Sequence, residues 1–165
     1  DATDAAAFGQ IGAAVASVKH YGGFHLVTDG AATLSLTADT QVALLPLGGV
    51  SSWVAAPVSG FVANTSLARL TASASFDSAR LAVNLSFSVD TPSVVVSIYV
   101  YDTLSASVVA IAGSEQFAFA GAADAPYNIS TSISAPITSS HQYTVHVMTD
   151  TTCVLTPLAC TFTID

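Results

Sequence analysis

Along residues 78–102 the chain reads SARLAVNLSFSVDTPSVVVSIYVYD, and its apolar side chains fall on every second position. Leu81, Val83, Leu85, Phe87 and Val89 alternate with Ala82, Asn84, Ser86 and Ser88. A period of two places the first set on one face of a strand and the second on the other. Asp90-Thr91-Pro92-Ser93 breaks the pattern with turn residues, because Pro fixes φ and Asp bonds its own backbone. A second strand follows, with Val94, Val96, Ile98 and Val100 on one face and Val95, Ser97, Tyr99 and Tyr101 on the other. The two strands are expected to form an antiparallel pair that packs on a core and, through its partly apolar back, on something else.

The same alternation recurs along the chain. Strands are expected at 24–28 and 32–37, flanking the hairpin signal Asp29-Gly30. Others are expected at 41–47, at 52–56 with the only Trp, and at 67–76, where Leu70, Ala72, Ala74 and Phe76 share a face. Beyond the central pair, candidates lie at 106–112, 116–120, 127–135, 141–149 and 160–164. Before the first strand, Phe8, Ile11, Val15 and Val18 recur at helical spacing behind a capping Asp4. Gly9 and Gly12 weaken that helix by about 1 kcal/mol each. Residues 1–22 therefore read as a helical or irregular N-terminal arm, and 23–165 as one domain. Short strands punctuated by Gly and Pro indicate an all-β antiparallel sandwich, for which a jelly roll is the expected form.

Composition adds one unusual feature. Charged residues are only 8% of the 165, against roughly 25% in an ordinary soluble domain, and mean hydropathy is +0.62. No apolar run approaches the roughly 20 residues of a membrane helix. The excess is Ala and Val mixed with Ser and Thr, which suits sheets whose outer faces are small and weakly polar. Such a face is buried against a copy of itself at little cost, since few charges need desolvating. Net charge is −8, with Lys19, Arg69 and Arg80 as the only fixed cations. Direct nucleic-acid binding is excluded, because phosphate neutralisation requires clustered Lys and Arg.

Candidate chemistry is sparse. Cys153 and Cys160 flank VLTPLA in what reads as a hairpin, so a cross-strand disulfide and two buried free thiols are both open. All three asparagines, Asn64, Asn84 and Asn128, open Asn-x-Ser/Thr glycosylation sequons, a feature of proteins outside the cytoplasm. The chain starts at Asp1, and any targeting segment is expected to have been removed or to lie outside it. His20 and His25 are five apart, as are His141 and His146, an odd offset that sets strand side chains on opposite faces and disfavours a shared metal. Asp102 and Asp150 are candidates for a loop calcium site, with turn formation the blander role. Trp53, Tyr21 and Tyr127 are candidates for sugar contact. No nucleophile elbow, phosphate loop or zinc motif is present, so a non-enzymatic role without a cofactor or metal is expected.

The second half carries the most specific pattern: ARLAVNLSFSVD, SVVVSIYVYD, YNISTSISAPI, HQYTVHVMTD and a closing CTFTID. This series resembles the C-terminal half of the tumour-necrosis-factor-like jelly roll shared with the complement globular heads, an architecture also similar to that of viral capsid and decoration proteins. The resemblance implies a trimer around a three-fold axis lined by aromatic and small apolar side chains, with Tyr99, Tyr101, Tyr143 and Phe162 at or near the subunit interface. It implies a structural or attachment module on a virion surface, contacting sister chains, other virion or surface proteins, and a receptor or glycan. The alternative is a secreted tumour-necrosis-factor-like ligand or carbohydrate-binding domain.

Overall fold

The computed structural model describes residues 22–27, 32–44, 52–55, 60–64, 66–109 and 116–165; the expected N-terminal arm lies outside the described residues. These form an antiparallel sandwich of thirteen strands and no helix among the described residues. The strands are β1 (Gly22–Val27), β2 (Leu34–Leu36), β3 (Val42–Ala43), β4 (Ser52–Ala55), β5 (Phe61–Asn64), β6 (Arg69–Ala72) and β7 (Phe76–Val89). After them come β8 (Val94–Asp102), β9 (Ser107–Val108), β10 (Gln116–Ala120), β11 (Tyr127–Ile137), β12 (Gln142–Thr149) and β13 (Cys153–Ile164). The first sheet runs β11-β7-β13-β1-β4, with β2 also on β13. The second runs β10-β8-β12-β6-β5, with β3 on β12 and β9 on β8.

The alternation read from the sequence decides which side chains fill the space between the sheets. Leu81, Val83, Leu85, Phe87 and Val89 of β7 are at most 1% exposed, and Leu155, Cys160, Phe162 and Ile164 of β13 lie beside them. Val94, Val96, Ile98 and Val100 of β8 and Tyr143, Val145 and Val147 of β12 face them from the second sheet within one apolar cluster. Each such side chain contributes about 1.5–3 kcal/mol by leaving water. That outweighs any single turn or cap.

Three expectations are corrected. β7 and β8 do not pair with each other: β7 lies between β11 and β13, and β8 between β10 and β12. The Asp90–Ser93 turn carries the chain across the sandwich, with Ser93 in the left-handed region at φ 60°. The two alternating strands thus cover the core from opposite sides. The hairpin around Asp29-Gly30 is likewise absent as a pairing of β1 with β2, because both strands lie on β13, β2 against Cys153–Leu155 and β1 against Ala159–Ile164. Twelve residues of β13 offer two successive pairing sites on one edge, and the two short strands use one each. The reading 67–76 divides into β6 and the start of β7 around a bend at Ser73, and β5 was hidden among turn residues.

The chain returns from the second sheet to the first at residues 150–152, beside the first crossover. Asp90 donates its backbone N–H to the Val154 carbonyl (3.0 Å), and its Oδ1 accepts the Val154 N–H (2.8 Å). Asp150 does the same with Val95, at 3.2 Å and 2.8 Å. Each crossover turn is therefore pinned to the first strand residues of the other. The two crossings are locked together.

Phe162, 1% exposed, packs inside one chain. Phe162→Ala is expected to lower the unfolding free energy by about 3–5 kcal/mol through lost burial and a cavity. Urea denaturation measures it, and a loss below about 1 kcal/mol contradicts this packing.

Candidate functional site

The sandwich presents two outer faces, and the sequence-selected residues divide between them and the core. On the first sheet the outward set is Ala82, Asn84, Ser86 and Ser88 from β7, Asn128, Ser130, Ser132 and Ser134 from β11, and Thr156, Ala159, Thr161 and Thr163 from β13. Register sets Asn84 opposite both Ser130 and Thr161, and Ser86 opposite both Asn128 and Ala159. Across these three long strands the exposed charged side chains are Asp77, at the start of β7, and Arg80, whose Nε donates to Ser132 Oγ at 2.8 Å. The sequons of Asn84 and Asn128 lie side by side on this face, each Asn opposite the other's Ser, and both asparagines are exposed. Asn64 ends β5, where its Oδ1 accepts the Leu67 N–H at 3.1 Å.

The second sheet's outer face is aromatic. Tyr99 and Tyr101 stand half-buried on β8, and the Tyr101 ring stacks on His146 of β12 at 3.9 Å and 10°. Phe119 of β10, opposite Val95, is 61% exposed. Tyr143 and Phe162, by contrast, are 2% and 1% exposed within the core. Both point into the packed space between the sheets, which corrects their expected place at a subunit interface. Their aromatic character reported packing, and only burial separates that from contact.

Cys153 and Cys160 are both free and buried. They lie on the one strand β13, with no hairpin between them. Seven residues at about 3.3 Å each separate them by roughly 23 Å, far beyond disulfide reach. Burial pushes the Cys160 thiol up to about 12, so it stays protonated.

One polar cluster went unread in the sequence. Asp102, at the end of β8 and 7% exposed, accepts hydrogen bonds from the N–H groups of Leu104 (3.0 Å) and Ser105 (3.4 Å), and from the Ser105 hydroxyl at 2.6 Å. Its Oδ2 also lies 2.6 Å from His141 Nδ1. Burial alone raises the Asp102 carboxyl, but the bonds from Ser105, His141 and the two backbone N–H groups together hold it below its ordinary value. Aspartate, hydroxyl and imidazole are the parts of a nucleophilic triad, but Ser105 directs its proton to the carboxylate, and both it and Asp102 approach the same ring nitrogen. A base would need Asp102 and the hydroxyl on opposite nitrogens. What the arrangement does is pin the 103–106 turn to the start of β12, with Thr103 N–H donating to the Gln142 carbonyl at 2.8 Å. The spacing Asp102-x-x-Ser105 was the available signal, as an Asp that bonds the backbone of its own turn.

The calcium reading finds no support in placement, since Asp102 and Asp150 sit at opposite ends of β8 and β12. Among the described residues no group of three His, Cys, Asp or Glu side chains is placed to hold a metal. Tyr127 is occupied structurally, its hydroxyl accepting the Ala122 N–H (2.7 Å) and donating to the Ala122 carbonyl (3.2 Å) while its ring meets Phe87 at 6.1 Å. Tyr21, His20 and the side chains of Trp53 and His25 lie outside the described residues.

His146 supplies the acid response of the second sheet. Burial, and then the charge of Arg69, lower it to about 4, and its buried Nδ1 has no hydrogen-bond partner among the described residues. The unfolded chain, near 6.5, takes up a proton first. Stability is therefore full above about 6.5 and falls as pH drops toward 4. His146→Phe, which keeps a ring against Tyr101, is expected to flatten the decline in melting temperature between pH 7 and pH 5. An unchanged slope in the variant contradicts the neutral, buried assignment.

No family model matches the chain, and no curated protein does. Among solved structures, the chain is similar to Eiger TNF from S. frugiperda, with a TM-score of 0.55 and 6% identity over 89% of this chain and 93% of that one. At that identity the likeness concerns the backbone alone. This chain has a tumour-necrosis-factor-like jelly-roll fold.

Proposed function

We propose that the chain is a non-enzymatic association module that assembles as a homotrimer through the outer face of the first sheet. It serves as a structural or attachment element on a particle surface such as a virion, or outside the cell. The observation that carries this reading is the first sheet's outer face, where the charged side chains across β11, β7 and β13 are confined to Asp77 and Arg80 at the start of β7. A copy with net charge −8 repels its sisters. A face whose middle, around Asn84, Ser86, Asn128, Ser130 and Thr161, carries no carboxylate is where two such copies meet at least cost, and its Ser, Thr and Asn groups exchange water for one another. Tyr99 and Tyr101, on the second sheet, then remain on the outside of the assembly.

The second reading, a secreted ligand or carbohydrate-binding domain, is favoured by the fold likeness to Eiger TNF. It shares the assembly and differs in what meets the outside. Mass spectrometry tests this: a glycan on Asn64 alone favours the second reading, whereas glycans on Asn84 or Asn128 contradict the assembly that both readings share, because they are incompatible with burying that face.

Light scattering of the purified chain at micromolar concentration is expected to give the trimer mass. Thr163→Arg, which sets a charge in the face, is expected to give a folded monomer, while Leu104→Arg on the 103–106 turn leaves the mass unchanged. A monomeric parent chain, or a Thr163→Arg variant that assembles like it, overturns the proposal.

A further inference from the structure

The first sheet's outer face departs from flatness at one place. β13 carries a bulge between Pro157 and Ala159: Pro157 pairs with Phe87 and Ala159 with Ser86, which leaves Leu158 without a register partner on β7. Pro157 and Cys160 both point inward and are buried, so Leu158 and Ala159 share the outward side. Re-aiming a side chain is what a bulge does. Leu158 is 37% exposed, a large apolar side chain among serines, threonines and asparagines.

Beside it the face is hollow. A depression of about 330 Å³ lies over Ala159, Ser86 and Ser130, where the side chains are short, and is walled by Asn84, Asn128 and Thr161. Leu158 stands next to this hollow, on the strand that lines it, and points outward. Its own chain leaves it exposed.

We infer that Leu158 of one copy seats in the Asn84–Asn128–Thr161 hollow of a second copy, as the apolar anchor of the assembly. The inference rests on the assembly reading above and names the contact that fixes it. A knob and a hole adjacent on one face satisfy each other when copies are related by a closed symmetry, so every knob is used and none is left over. The occupant is a sister chain because the hollow offers a foreign charged partner no countercharge, whereas a sister presents Leu158 and the same uncharged lining around it. The size agrees. At about 4.8 Å between strands and 3.3 Å per residue, the five strands of this sheet present on the order of 700 Å², near the roughly 800 Å² per partner of a stable interface. Leu158 then fills the central gap that would otherwise stay wet, and buried apolar anchors at interface centres dominate affinity.

The experiment is sedimentation of the full chain across a dilution series. Leu158→Ala is expected to raise the concentration at which the assembly dissociates by at least about tenfold, whereas Leu104→Ala, which truncates a leucine 63% exposed on the 103–106 turn, leaves it unchanged. Ser86→Phe, which fills the hollow from its own chain, is expected to weaken assembly in the same way and decides the matter if Leu158→Ala loses its near-ultraviolet dichroism. Leu158→Ala or Ser86→Phe assembling as tightly as the parent, while Thr163→Arg dissociates, overturns the anchor and leaves the face reading standing. A parent chain that is monomeric throughout overturns both.

Discussion

The apolar layer held between β7 and β13 on one side and β8 and β12 on the other is the constraint from which the other features follow. These strands contribute the largest fully buried side chains, among them Phe87, Phe162, Ile98 and Leu155. With every second residue of four long strands drawn inward, the remaining residues are obliged to face out. Their character then sets what the molecule meets. On the first sheet those outward positions are small and hydroxylated; on the second they are aromatic. A chain this poor in charge has no ionic coat to lay over either.

The crossovers between the sheets show how local chemistry serves that layer. Asp90 and Asp150 sit in turns that no apolar contact would hold, and each ties its turn to the strand entered by the other. The Asp102–Ser105–His141 clasp plays the corresponding part at the end of β8. Buried polar groups that are fully bonded rigidify a fold. Here the bonded groups gather at the strand ends, where the chain has to change direction, while the apolar layer between the sheets is left to packing.

The strand content and the sandwich were legible because a period of two is a direct consequence of strand geometry, and β7, β8, β11 and β12 appear close to where the alternation places them. Pairing was less legible. Leu81 to Val89 and Val94 to Val100 read as a hairpin since a short turn joins them, yet sequence adjacency does not distinguish a hairpin from a crossing between sheets. Cys153 and Cys160 illustrate the same limit: Pro157 between them reads as a turn, but in the fold it sits beside a bulge in one continuous strand. Tyr143 and Phe162 were chosen for aromatic character, which core and interface share. Asp102 and His141 are brought together only by the sheet register and left no joint mark on the sequence.

The central claim is that the outer face of the first sheet is covered by sister chains. Native thiols are buried, so a single cysteine introduced by Ser130→Cys reports on that face directly through its rate of maleimide labelling, compared with Leu104→Cys on a turn outside it. The account predicts slow labelling at position 130 at micromolar concentration that rises on dilution, with rapid labelling at 104 throughout. Equal and rapid labelling at both positions, independent of concentration, would contradict it.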